Sequence, residues 1–162
     1  MEIPLRNGMT SQIDDEDVCL FAGYHLTLKR DRKSGIWYVI ATKGRSEQIS
    51  LHRLIMGLEK GDPREVDHAN GDGLDNRRLN LRIATRAQNN ANRRLRKDNT
   101  SGYKGVVANC KRPGLWVAQI MHNSKGYNLG TTFKTKEDAF SAYCEAATRL
   151  HGEFARLEKR ES

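Results

Sequence analysis

Apolar and polar positions alternate in three short runs of the first half of the chain. Tyr24-His25-Leu26-Thr27-Leu28 opens a strand expected over 24–30. Ile36-Trp37-Tyr38-Val39-Ile40-Ala41-Thr42, rich in β-branched and aromatic residues, gives a second over 36–42, and Glu47-Gln48-Ile49-Ser50-Leu51 a third. Arg32-Lys33-Ser34-Gly35 and Lys43-Gly44-Arg45-Ser46 supply the turns. A short helix over 51–57 ends at Gly57, with Pro63 in the loop beyond. Residues 1–17, polar and closing on the acidic run Asp14-Asp15-Glu16-Asp17, read as an irregular lead-in.

The pattern then tightens. Val66-Asp67-His68 reads as a short strand, Asn70-Gly71-Asp72-Gly73 as a tight loop, and Leu79-Asn80-Leu81-Arg82-Ile83 as the returning segment. A helix is expected from Thr85, where Thr85-Arg86-Ala87-Gln88 has the form of a capping box. Ala87, Ala91 and Leu95 give it a narrow apolar stripe. Asp98-Asn99-Thr100-Ser101-Gly102 is a polar linker. Three more strands are expected at 103–110, 114–122 and 125–131. Thr135 then caps a helix whose face is Ala139, Phe140, Tyr143, Ala146, Ala147 and Leu150, and which stops at Gly152. The fold class is α+β: a small N-terminal β region leading into a strand-loop-strand-helix core, then a three-stranded antiparallel sheet with one packed helix.

Composition sharpens this picture. Only 37% of the 162 residues are hydrophobic and 30% are charged, which favours two small cores over one large one. The formal charge of +8 is concentrated: residues 76–112 hold 11 Lys/Arg against one acid, Asp98. Such a block attracts polyanions and releases their counterions on binding. The bland reading is a solvated basic face, but apolar residues interleave through the block, which favours a nucleic-acid contact. Cys19, Cys110 and Cys144 are widely spaced and odd in number, which argues against a disulfide framework or a zinc ribbon and suits a reducing compartment. No run of the chain approaches the length of a signal or a membrane span. The expectation is a cytoplasmic protein.

Candidate chemistry gathers between Asp67 and Asn92. An acid sits beside a histidine at a strand end, and carboxamides follow on the returning segment and in the helix. Phosphodiester hydrolysis asks for a base that titrates near neutrality, a hard cation held by oxygen ligands, and a partner that fixes the imidazole tautomer. Histidine, aspartate and asparagine supply those groups. Asn70, Asp72 and Asp75 miss the calcium-loop pattern and read as loop-shaping residues.

The segments HRLIMG, VDHANGDGLDNRRLNLRIAT and AQNNANRR, over roughly 50–97, resemble the HNH nucleases of phage and homing-endonuclease type, with their ββα-metal site. The resemblance implies that Asp67 and Asn89 are metal ligands, His68 the general base and Asn80 the residue orienting it. Where the family has its third histidine, this chain has Asn89. His52 matches a family position too, with a structural or phosphate-contacting part. The implied cofactor is a divalent ion, Mg²⁺ first and Mn²⁺ as the other candidate. SGYKGV, WVAQI, LGTTF and EDAFSAYCEAATRLHGEFARL, over about 100–157, resemble the AP-two/ERF DNA-binding domain, which lays its sheet in the major groove. That implies a helix-facing set of Trp116, Ala118, Ile120 and Leu129. Val107, Met121, Gly126 and Asn128 depart from that family's basic sheet, so its base preference does not carry over.

These readings combine into an expectation: an HNH endonuclease domain over 1–97 with its core at about 50–97, a linker at 98–102 and an AP-two/ERF-like domain over 103–162. The partner is double-stranded DNA, no membrane is involved, and the chain acts as a monomer or weak dimer. Arg77, Arg78, Arg82, Arg86, Arg93, Arg94, Lys104, Asn109, Lys111, Arg112, Gln119 and Lys125 form the expected DNA-contacting set. A non-catalytic DNA-binding regulator is the alternative.

Overall fold

The computed structural model describes residues 1–44 and 47–160. The expected turn residues Arg45 and Ser46 lie outside it. The fold is α+β and divides into two compact units, Met1–Arg86 and Ala87–Ser162. The division falls within a short helix, ahead of the polar segment 98–102.

In the first unit, β3 (His25–Arg30), β4 (Trp37–Lys43) and β5 (Glu47–Ser50) form an antiparallel sheet with β4 central. Helix α1 (Leu51–Ile55) follows, and the chain turns at Gly57 with φ of 67°. β6 (Glu65–His68) and β7 (Leu81–Ala84) make a two-stranded ladder in which Asp67 faces Arg82 and His68 faces Leu81. Ile13, Val39, Leu51, Ile55, Leu58, Val66 and Leu81 form the apolar core.

The lead-in is not irregular. β1 (Glu2–Pro4) and β2 (Thr10–Gln12) pair as a hairpin, and the acidic run enters a 3₁₀ helix at Asp15–Phe21. Ile13 and Ser11 are fully buried, and Asp17 is 1% exposed, held by Arg78 at 2.6 Å. Strands of three residues carry too few positions for alternation to register, and their interior is filled by polar groups paired with residues far along the chain.

In the second unit, β8 (Val106–Ala108), β9 (Trp116–His122) and β10 (Lys125–Phe133) form an antiparallel sheet with β9 central. Helix α3 (Lys136–His151) packs on one face, through Ala139, Tyr143, Ala146 and Ala147 against Val106, Ala118 and Ile120. Thr135 Oγ1 accepts from the Asp138 amide at 3.1 Å, the expected cap, and Gly152 ends the helix with φ of 53°.

Helix α2 (Arg86–Ala91) is shorter than its apolar stripe suggested, and Leu95 lies beyond it. The backbone after Ala91 finds other partners. Lys104 Nζ donates to the carbonyls of Ala91 and Arg93 at 2.6 and 2.7 Å, Arg160 donates to those of Arg96 and Lys97, and the Leu95 amide donates to Glu158. Side chains that satisfy carbonyls in this way remove the incentive to continue a helix through an asparagine-rich stretch. Residues 98–102 are likewise built into the second unit: the buried Ser101 hydroxyl donates to Val106 O at 2.7 Å.

Candidate active site

His68 ends β6, at the mouth of the loop that joins it to β7. Loop side chains do the local folding. Asn70 Oδ1 accepts from the Asp72 amide and Asp72 Oδ1 from the Leu74 amide, at 2.8 and 3.0 Å. Asn70 Nδ2 donates to Asp75 Oδ2 at 2.9 Å. Asn80 ties the loop's two ends together: its Oδ1 accepts from the Asn70 amide at 3.0 Å and its Nδ2 donates to the Asp75 carbonyl at 2.7 Å. The strand β2 is zipped alongside, with Gln12 N donating to Leu74 O and Asn76 N to Gln12 O. Asn70, Asp72 and Asp75 thus shape the loop.

The His68 ring is buried among other rings. His52, from α1, meets it edge-on at 4.9 Å between centroids, and Tyr38, from β4, lies 5.8 Å from both. Gly73 lets the loop approach this group: a methyl there would overlap the Trp37 carbonyl and the Tyr38 ring. Burial lowers the His68 pKa, opposed by the bond to Asn76 and by Asp67, Asp72 and Asp75. Burial thus favours the neutral ring, the form a base needs. His52 is pushed further, down to about 3, by burial, then by His68 and Arg53. Its Nδ1 is buried without a hydrogen-bond partner among the described residues.

Successive residues of a strand face opposite ways. Asp67 accordingly leaves the histidine group and meets Arg82 across the ladder: Nε and Nη2 both reach Asp67 Oδ2, at 2.8 and 2.7 Å. Among the described residues no group of three or more His, Cys, Asp or Glu side chains is placed to hold a metal ion. The donors that sequence singled out are of another kind, a carboxylate and a carboxamide oxygen, which suit a hard divalent cation. Asp67 fits that part in one respect: it is a buried carboxylate at a position that already draws a cationic group. Asn89 lies half-buried on α2, in the second unit.

The expected DNA-contacting residues fall into two groups. Arg77, Arg78 and Arg82 are committed to the fold's own acids: Arg77 forks onto Asp75, Arg78 onto Asp17, and Arg82 holds Asp67. Lys104 spends its ammonium on backbone carbonyls, and Asn109 braces a turn, donating to Thr131 O and accepting from the Lys111 and Arg112 amides. Arg86, Arg93, Arg94, Lys111, Arg112, Gln119 and Lys125 are exposed. On the sheet face away from α3, Gln119 pairs across with Asn128 and Met121 with Gly126. That face is polar and apolar, and its basic residues stand in loops and hairpin ends.

Sequence reasoning passed over Asn76, Ser11 and Tyr38. Asn76 carried a signal, as one more carboxamide inside the motif-bearing segment; Ser11 carried none.

Residues 50–91 match the HNH endonuclease family. Over 94 residues the chain is 30% identical to Protein 3.8 of Escherichia phage T7, a stretch covering 57% of this chain and 74% of that protein. The chain belongs to the family that includes this phage protein and carries an HNH endonuclease domain. No solved structure matches it. No described helix is long and apolar enough to cross a membrane.

Proposed function

We propose that the chain is a metal-dependent DNA endonuclease whose general base is His68. The observation that carries the reading is a histidine buried at the end of β6, its pKa lowered by that burial, inside the segment matching the HNH endonuclease family. His68 takes a proton from water as the water oxygen bonds to phosphorus, and the bond to the leaving oxygen of the phosphodiester breaks. Asp67 would hold a divalent ion, which would supply Lewis-acid stabilisation to the phosphodiester when bound. Asn89 enters as a further oxygen donor on the sequence resemblance alone. Asn80 acts as the brace of the loop that presents His68.

Arg86, Arg93, Arg94, Lys111, Arg112, Gln119 and Lys125 are the side chains proposed to meet duplex DNA, the last four from an AP-two/ERF-like sheet-and-helix unit. A single active centre per chain nicks one strand, and cutting both requires a second chain or a second binding event.

The test is conversion of supercoiled plasmid with and without Mg²⁺ or Mn²⁺. Open-circular or linear product is expected with metal, and His68→Ala is expected to lower its rate by about 10²-fold or more. Retention of DNA without cleavage under every metal would favour the regulator, and cleavage unchanged in His68→Ala would remove His68 from the mechanism.

A further inference from the structure

We propose that Asn76 and Ser11 are positioning residues that hold His68 in the tautomer protonated on Nε2, which makes Nδ1 the basic nitrogen. The proposal rests on the reading of His68 as the base.

Three hydrogen bonds carry it, and each fixes the direction of the next. Ser11 Oγ lies 2.8 Å from the Leu74 carbonyl oxygen. A carbonyl only accepts, so the hydroxyl proton points there. Asn76 lies 2.9 Å from the same Oγ, which has spent its one proton and can only accept. The nitrogen end of the Asn76 amide must therefore face Ser11. The Gly73 carbonyl, 3.5 Å from that same nitrogen, is a second acceptor that agrees. Turning the amide over would set its oxygen against two acceptors in an interior closed to bulk solvent, since Ser11 and Asn76 are both 0% exposed. With the nitrogen placed, Asn76 Oδ1 faces His68 Nε2 at 3.3 Å. An amide oxygen cannot donate, so Nε2 carries the proton, and in the neutral ring Nδ1 carries the lone pair.

The anchor is remote in sequence, as Ser11 and Asn76 stand 65 positions apart. It is nevertheless firm. Gln12 bridges Asp75 in parallel, and its amide and carbonyl bond the residues on either side of that bridge. The hairpin of β1 and β2 thereby acquires a role: it delivers one hydroxyl to the loop behind the histidine. Asn80, whose carboxamide is spent on Asn70 and Asp75, makes neither of these contacts.

The experiment is a two-bond proton–nitrogen correlation spectrum of the full chain labelled with ¹⁵N-histidine, at about pH 8, above the ordinary imidazole pKa. The chain has five histidines, and His68→Gln identifies the resonance by its loss. The expected spectrum shows His68 as a single Nε2–H tautomer. An Nδ1–H pattern, or an even mixture, overturns the proposal on the unaltered protein, whatever the variants do. Asn76→Ala and Ser11→Ala are expected to lose the single pattern. An unchanged tautomer in both alanine variants would also overturn it. In the cleavage assay Asn76→Ala is expected to lower kcat by about 10²-fold with KM little changed. The spectrum needs neither metal nor DNA, so a failure of the nuclease reading is seen separately, as absence of cleavage by a parent chain whose tautomer is as proposed.

Discussion

The two compact units are filled by different means. The second is a sheet-and-helix sandwich whose interior is Val106, Ala118, Ile120, Ala139, Tyr143, Ala146, Ala147 and Phe154, with Asn92 and Ser101 as its buried polar residues among those described. The first surrounds its apolar cluster with Ser11, Asp17, Asp67, His68, Asp75, Asn76 and Asn80, all buried. Buried polar groups lower stability unless each is partnered, and hold their partners in fixed geometry when it is. The first unit's hydrogen bonds thus do more than support a fold: they specify which atoms stand around one imidazole. The second unit is organised by packing, and its polar chemistry lies on its outside.

The difference predicts where small steric and electrostatic changes act. Gly105 has φ of 75°, and a methyl there would overlap the Tyr143 ring and come within 2.8 Å of the Gln119 carbonyl. Gly105→Ala should destabilise the second unit by about 2–5 kcal/mol, combining overpacking with a left-handed backbone. Gly126→Ala, whose new methyl meets only Met121 Sδ at 3.4 Å, should be nearly neutral. The two tryptophans, Trp37 and Trp116, report one unit each. Urea unfolding followed in Trp37→Phe, which keeps Trp116, reads the effect. A Gly105→Ala midpoint equal to that of Gly126→Ala would refute packing control of this unit.

The matching change in the first unit is electrostatic. Arg78→Ala leaves the Asp17 carboxylate buried without the guanidinium that forks onto it at 2.6–3.1 Å. Because Arg78 is about half exposed, its loss should cost about 2 kcal/mol, at the lower end for a buried charge left unpaired. The Trp116→Phe background, which keeps Trp37, follows it. The double variant Asp17→Ala/Arg78→Ala should recover part of the loss, as expected when the cost lies in the orphaned acid. Additive losses in the two single variants would show that this interior is not built on the pair.

The same contrast explains what could be read in advance. The sheet-and-helix unit was legible because it obeys periodicity: alternate residues of β9 and every third or fourth of α3 are apolar, with Thr135 and Gly152 as punctuation. The segment from Val66 to Ile83 was legible as strand, loop and strand through its turn chemistry and motif. Ser11, Asp17 and Asn76 were not, because a buried polar residue looks exposed in sequence until its partner is known. Their partners, Leu74, Arg78 and His68, are set by the tertiary fold. Arg77, Arg78 and Arg82 misled for the complementary reason: in sequence they form part of a basic block, and in space each stands against an acid of the first unit.

One residue runs against the contrast and offers the finest test of it. Lys104 places a partly buried ammonium in the second unit, and burial, then Arg156, lowers its pKa to about 8, with Glu158 opposing. In the unfolded chain the group returns to about 10.4. Between these values the unfolded chain holds a proton that the folded chain has released, so stability rises with pH across that window and is level in this term below it. Cys144 and Tyr143, whose thiol and phenol burial pushes upward, oppose the trend, Cys144 from the ordinary thiol value of about 8.5 and Tyr143 from the ordinary tyrosine value of about 10. Urea midpoints in the Trp37→Phe background should therefore climb between about pH 8 and 10, and Lys104→Met should flatten the climb while lowering stability through the two carbonyls it leaves unmet. A slope that persists in Lys104→Met would assign the proton to another group and restore the second unit as one without a buried charge.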